Sequence, residues 1–157
     1  MKVTGDNDLI DMLAALEGEA EGIVKQAVYF GADIIADEMR KRYKDAPEDE
    51  RYVHGDDRLH GIKKMQKQGL LDSLSIAPMR NEGDQINTII GVSGYNNVKT
   101  RKYPNGQPNN MIARSLESGS SIMDKHPVVR PTLNATRSKV KAKVEEVIKA
   151  LIAERQK

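Results

Sequence analysis

Gln85-Ile86-Asn87-Thr88-Ile89-Ile90-Gly91-Val92 is a run dominated by β-branched side chains and without helical spacing. It reads as a strand. Upstream, Gly69-Leu70-Leu71-Asp72-Ser73-Leu74-Ser75-Ile76-Ala77-Pro78 alternates at its end, with Leu74 and Ile76 on one face. Asn81-Glu82-Gly83-Asp84 between them is turn chemistry, so the two runs predict an antiparallel hairpin. This hairpin is what separates the chain from an all-helical protein.

Outward from it the pattern is helical on both sides. From Asp8 to Tyr43 apolar residues recur at spacings of three and four, through Leu9, Leu13, Leu16, Ala20, Ile23 and Ala27 to Ile34. Asp6, Asn7 and Asp8 suit a helix start, and Arg40-Lys41-Arg42 suit its end. Gly18, Gly22 and Gly31 interrupt this pattern, as kinks or as places where another backbone comes close. Residues 44–68 are highly charged and rich in turn formers, and predict an exposed loop. Tyr95 to Gln107 reads as a polar loop, and Asn109 to Leu116 as a short helix ended near Gly119. Pro131 opens a last helix whose stripe runs through Leu133, Val140, Val144, Val147, Ile148, Leu151 and Ile152. The expected fold is therefore α+β: a long N-terminal and a C-terminal helix packed on a small antiparallel sheet, with an extended exposed loop. The expected organisation is one domain over 1–157, with a helix over 8–43, the loop over 44–68, a β-rich part with a short helix over 69–133 and a helix over 131–154.

The composition fits a domain with a thin aliphatic core. The 157 residues contain 38% apolar residues and 4% aromatics, with a single Phe (Phe30) and no Trp. No apolar run approaches the roughly 20 residues that cross a bilayer. The N-terminus turns acidic at once, without the apolar stretch of a signal peptide, so synthesis in the cytoplasm is expected. The absence of Cys excludes disulfides, thiol catalysis and Cys-based zinc sites. The net charge is +2, but it is unevenly spread. Residues 1–60 carry 8 basic and 15 acidic side chains, a net of −7, and residues 61–157 carry 17 basic and 8 acidic, a net of +9. Such a split suits a polyanionic partner, a second copy offering its opposite end, or neutralisation within one fold.

Catalytic chemistry is not legible. His54, Asp56, Asp57 and His60 cluster, but lie in a stretch with no periodicity to fix metal geometry, so a solvated loop is the reading and no metal site is assigned. The serines lack the strand–Gly-x-Ser-x-Gly–helix setting, His126 has no carboxylate beside it, and Gly91-Val92-Ser93-Gly94 lacks the Lys-Ser or Lys-Thr of a phosphate loop. The expectation is a protein that is not an enzyme, with no catalytic residues and no cofactor. Lys99, Arg101 and Lys102 lie near Tyr95 and Tyr103, and Lys63, Lys64 and Lys67 precede the first strand. Cations interleaved with Tyr suit loose contact with DNA, and a small nucleic-acid-binding protein using the basic C-terminal half is the alternative function.

The C-terminal third carries a resemblance. It reads Asn110-Met111-Ile112-Ala113-Arg114-Ser115-Leu116-Glu117-Ser118-Gly119-Ser120, then His126-Pro127-Val128-Val129-Arg130-Pro131-Thr132-Leu133, then an amphipathic helix. This resembles the head–tail joining or tail-completion proteins, also called minor tail components, of the neck of long-tailed bacteriophages. Gly69, Leu71 (or Leu70), Ser73 and Leu74 follow the order of that family's Gly-x-Leu-x-x-Ser-hydrophobic strand opening, with Ser73 one position earlier than the pattern. Ala113, Leu116, Glu117 and Gly119 match its second motif, with Ser120 in a Thr position. Pro127, Val129, Arg130, Pro131 and Leu133 match the third, and the order agrees over residues 69–152. Ile112, Ser118 and Val128 stand where the family has aromatics, Thr132 replaces a small Ala, and the 44–68 insert is longer than expected.

Read physically, the same residues are architectural. Arg130-Pro131 fixes the approach to the last helix, Glu117 caps or pairs with Arg114 or Arg130, and Gly119 ends the short helix in a left-handed conformation. The resemblance implies a virion structural protein, made in the host cytoplasm and located in the tail neck. It implies a homo-oligomeric ring, six-fold by resemblance, with the head connector and the tail terminator or tube as partners and no membrane. The charge split suggests how copies meet, through the basic face Lys139, Lys141 and Lys143 of one subunit and the acidic N-terminal helix of the next. Lys99, Arg101 and Lys102 are then the candidates to face genomic DNA.

Overall fold

A computed structural model of the chain describes residues 14, 16, 18–83 and 85–157. Among these, four helices and four short strands form an α+β fold. The helices are α1 (Ala20–Asp45), α2 (Lys64–Ser73), α3 (Asn109–Ser118) and α4 (Val129–Arg155). The strands are β1 (Ser75–Ile76), β2 (Arg80–Asn81), β3 (Ile86–Asn87) and β4 (Ile90–Gly91). Two compact units result: one from the residues up to Ile35 with Ile76–Ile90 and Ala135–Lys157, the other from Ala36–Ser75 and Gly91–Asn134.

In the first unit the hairpin lies where its turn chemistry placed it. β2 and β3 pair antiparallel, with Arg80 opposite Asn87 and Asn81 opposite Ile86, and Gly83 supplies the positive φ of 71° in the turn. The long second run, however, is divided between two partners, since β4 pairs with β1. Pro78 explains the break: it has no N–H for the ladder. Ala77 keeps the two arms together, donating to the Ile89 carbonyl (2.8 Å) while its own carbonyl accepts from the Thr88 hydroxyl (2.6 Å). The result is two small antiparallel sheets instead of one. The first half of α1 buries Ile23, Ala27, Val28 and Ala32, and the last turns of α4 bury Val140, Val144, Ile148 and Ile152.

Several expectations change. Residues 8–13, 15 and 17 of the predicted first helix lie outside the described residues; among the others, Gly18 adopts φ 76° in a turn and α1 starts at Ala20. The strand opening at Gly69–Ser73 is helix. Gln66, Leu70 and Leu74 are spaced by four and all buried, a helical period that outweighs the short alternation at Leu74 and Ile76. Residues 44–68 are not an open loop either, because α2 begins at Lys64 and Ala46, Asp49 and Ile62 are buried. In α4, Leu133 is 42% exposed while Thr132 and Thr136 are buried. Buried positions there recur every four residues (Val128, Thr132, Thr136, Val140, Val144, Ile148, Ile152), and a spacing of four drifts about 40° per step. Leu133 therefore falls beside the stripe at the N-terminal end. The predicted short helix and last helix are α3 and α4, and Gly119 ends α3 with its N–H on the Ser115 carbonyl, but at φ 74° and ψ 175° it is in an extended glycine conformation and not the left-handed helical one expected.

Candidate functional site

The second unit gathers most of the singled-out residues. α2 lies against the start of α3 through glycine. A Cβ at Gly69 would stand 2.6 Å from both Asn109 Oδ1 and Asn96 Cβ, so only glycine permits this approach. Asn109, 2% exposed, donates through Nδ2 to the carbonyls of Gly69 (3.1 Å) and Ser93 (2.8 Å) and to Ser73 Oγ (3.1 Å). Ser73 Oγ in turn donates to the Gly69 carbonyl at 2.7 Å. The Gly69 and Ser73 of the first motif thus face one buried amide. Leu71 is half-buried.

The second and third motifs meet at the start of α4. Glu117, on the last turn of α3, accepts the backbone N–H groups of Val128 (2.7 Å) and Val129 (2.8 Å) through Oε2 and of Arg130 (3.2 Å) through Oε1. These are N–H groups that a helix start leaves without intrahelical partners, and a carboxylate there also faces the positive end of the helix dipole. Burial alone would raise the Glu117 pKa. The three N–H groups and the Arg130 charge outweigh it and hold the carboxyl below its ordinary range. Tyr43, 2% exposed, is driven one way by both influences, its phenol pushed up to about 12 by burial and by the Glu117 charge. Leu116 is fully buried, Ala113 and Pro131 are half-buried, and Pro127 and Arg130 are exposed. Arg114 and Arg130 form no side-chain ion pair with Glu117 among the described residues, so the carboxylate serves the helix backbone instead.

Residues 46–63 form a strap held by their own charges. Asp49 accepts from Arg51 Nε (2.9 Å), from the Arg51 terminal nitrogen (2.8 Å) and from the His60 N–H (2.9 Å), and these hold its carboxyl far below the ordinary range. Arg58 donates to Asp124 Oδ1 (2.8 Å) and to the carbonyls of Ser120, Ser121 and Met123. Leu59 exchanges backbone bonds with the same segment, donating to the Ile122 carbonyl and accepting from the Asp124 N–H. At the other end Glu50 Oε1 accepts the Lys64 N–H at the start of α2, and Lys67 pairs with Glu48 at 2.8 Å. A Cβ at Gly61 would meet the Pro47 carbonyl oxygen at 2.1 Å, so the strap closes only over glycine.

The His54, Asp56, Asp57 and His60 cluster does not assemble. All four are exposed, and His60 Nδ1 is 2.7 Å from Asp124 Oδ2. Among the described residues no three metal-capable side chains converge.

The basic candidates divide by geometry. Lys99, Arg101 and Lys102 stand exposed on a hairpin closed at its base by the Tyr95–Pro108 bridge and the bond from Asn96 N to the Gln107 carbonyl (2.9 Å). Its tip is a tight turn in which Thr100 and Tyr103 exchange backbone bonds at 3.1 Å. Gly106 (φ 113°) permits the closure, since a Cβ would meet the Asn96 carbonyl oxygen. In contrast, Lys139, Lys141 and Lys143 do not share one face. On a helix Lys141 points about 200° from Lys139, whereas Lys143 lies one turn on. Lys143 pairs with Glu146 at 2.9 Å and Lys141 with Glu145 at 3.9 Å.

Sequence reasoning missed Asn109, Arg58 and Asp49. Asn109 was visible only as a helix start, and Arg58 and Asp49 sat in a stretch whose charge argued for solvent. The signal that could have found them is Gly61 and Gly69, glycines with no turn partner beside them. No known family pattern, curated protein or solved structure matches this chain.

Proposed function

We propose that this chain is a phage virion structural protein that joins head to tail, or completes the tail, at the neck, acting through ring assembly and not through catalysis. The observation that carries the reading is where the motif residues go. Gly69, Ser73, Glu117 and Gly119, matched to the family pattern from sequence alone, all hold backbone in place: a close approach, a buried amide, a helix start and a helix end. Residues arranged to fix architecture suit a protein whose work is to present surfaces to neighbours.

The surfaces that exchange charge are narrower than the sequence split suggested. In α1, Glu21, Asp37 and Glu38 pair with Lys25, Arg40 and Arg42 of the same helix. Asp33 and Asp45 are the α1 carboxylates without an ion pair among the described residues. On α4, Lys139 and Lys143 form the one-sided basic pair. A heterologous contact between these two sets closes into a ring where the rotation between copies allows it.

Native mass spectrometry of Lys139→Glu/Lys141→Glu/Lys143→Glu beside the wild type tests this reading. The expected result is a ring for the wild type and a folded monomer for the variant, because each reversed helix pair costs only about 0.2–0.5 kcal/mol of stability. An unchanged oligomer in the variant would sink the charge-driven contact, and a wild-type monomer in every condition would remove the preformed ring.

A further inference from the structure

From Gln85 to Leu116 the chain contains no Asp or Glu, and Lys99, Arg101, Lys102 and Arg114 all fall in that span. Among the described residues, Lys99, Arg101 and Lys102 have no ion-pair partner. This differs from the strap, where Arg51 and Arg58 are each tied to a carboxylate. The turn at Thr100–Tyr103 and the bridged base hold the three cations together in space, so clustering them requires little further ordering.

At the base of the same hairpin lies a groove of about 330 Å³, whose wall includes Tyr95, Asn96, Asn97, Gln68, Asp72 and Asn109. Tyr95 is 70% exposed, an aromatic face open to solvent at the groove. Asn96, 4% exposed, accepts the Val98 N–H through Oδ1 but leaves Nδ2 without a partner, and Asn109 leaves Oδ1 without one. Both of these atoms are closed off from solvent against the Gly69 backbone, so the groove offers a base the Tyr95 ring and not an amide pair. Asp72, the acid of the groove, is bonded by Gln68 Nε2 at 2.7 Å and disfavours a phosphate there, which leaves phosphates to the tip. Lys99 follows Asn97 by two residues, so tip and groove lie within about 7 Å of backbone.

We propose that the 95–108 hairpin binds single-stranded nucleic acid, with phosphates on Lys99, Arg101 and Lys102 and a base stacked on Tyr95 at the groove. A stacking platform beside a basic track is the general arrangement for single strands, since a duplex keeps its base faces inside the stack. The inference does not rest on ring assembly.

Fluorescence anisotropy of a labelled oligothymidylate with the full-length wild-type protein, repeated over a salt series, tests it. Affinity should fall with salt, and Lys99→Ala/Arg101→Ala/Lys102→Ala should weaken binding and flatten the slope of log K against log salt by about 2, the value for three lost phosphate contacts. Tyr95→Ala should weaken binding about fivefold or more at unchanged slope, with Tyr95→Phe restoring it. Lys41→Ala/Lys149→Ala/Lys157→Ala removes the same charge from exposed positions elsewhere and should leave affinity within about twofold. Equal losses in the two triple variants would overturn the site in favour of net charge. A duplex bound as tightly as the single strand, with Tyr95→Ala silent, would overturn the single-strand assignment.

Discussion

At Gly69 and Glu117 single atoms decide how elements meet. Alanine at 69 adds a methyl 2.6 Å from Asn109 Oδ1 and Asn96 Cβ, neither of which is the free end of a flexible chain. Gly69→Ala should therefore lower stability by about 1–3 kcal/mol, the range for overpacking, although alanine is the better helix former. Unchanged or raised melting temperature in that variant would show that α2 and α3 can separate without loss. Glu117→Gln retains an acceptor but removes the charge facing three N–H groups, and should cost about 1 kcal/mol by chemical denaturation. The pH dependence follows from the signs. Glu117, Asp49 and Asp124 are all held below the ordinary carboxyl range when folded. Their contributions are present above the unfolded value near 4 and are lost as pH falls through the lower folded values, so the melting temperature should drop steeply below about pH 4. Tyr43 acts at the opposite end. With its phenol raised to about 12 when folded, its contribution is complete below the unfolded value near 10 and is lost as pH rises towards 12. Melts of Tyr43→Phe and wild type between about pH 9 and 12 should diverge, the wild type falling faster; parallel curves would mean that Tyr43 ionises freely in the folded protein.

Among the elements, the strap is the most informative, because its composition argues for disorder and its contacts argue otherwise. A charged segment gains order when its charges find fixed partners, and Asp49, Arg51 and Arg58 of the strap do, with Glu48 held by Lys67 of α2. The strap spans residues on both sides of Leu59, whose backbone bonds to 122–124 close a loop of high sequence separation. Limited trypsinolysis should spare Arg51 and Arg58 in the wild type and cut there in Asp49→Asn, whose neutral side chain loses the charge-assisted bonds from Arg51. Early cleavage at both sites in the wild type would return the segment to the exposed loop its composition suggests. The helices of the last third were legible in advance because apolar spacing and Gly or Pro at the ends agree: α3 stops at Gly119, and α4 carries Pro131 in its first turn. The hairpin turn was legible for the same reason. α2 was hidden because two of its buried positions hold Leu70 and the polar Gln66, and Gln66 is buried for a reason no periodicity records: Oε1 accepts the Lys63 N–H and Nε2 donates to Gln107. Leu133 was misplaced because a stripe of fixed spacing drifts around a long helix while a linear list of apolar residues does not.

For the whole molecule the question is what the charge division does once the internal pairs are subtracted. Many carboxylates of the acidic first part are bound within it or, like those of the strap, close to it; Glu19 is an exception in reaching Arg155, close to the C-terminus. The basic part is less neutralised: Lys99, Arg101, Lys102 and Lys139 have no ion pair among the described residues. An isolated subunit therefore carries uncompensated positive surface from both the hairpin and α4, and the two call for different partners. A copy of the same chain can offer Asp33 and Asp45 to Lys139 and, in exchange for its Glu146 pair, to Lys143, a contact between exposed charges that salt weakens as the screening length shrinks from about 10 Å at 0.1 M to about 3 Å at 1 M. Native mass over a concentration series at low and high salt separates the cases. A discrete ring at low salt that dissolves at high salt is the expected outcome for a charge-closed assembly. A ring indifferent to salt would move the contact to apolar surface, for which Tyr29 and Phe30, each about half exposed on α1, are the first residues to substitute. A monomer throughout would remove self-closure, and under the proposed neck role the charge on α4 would then have to be matched by a different protein instead of by a second copy.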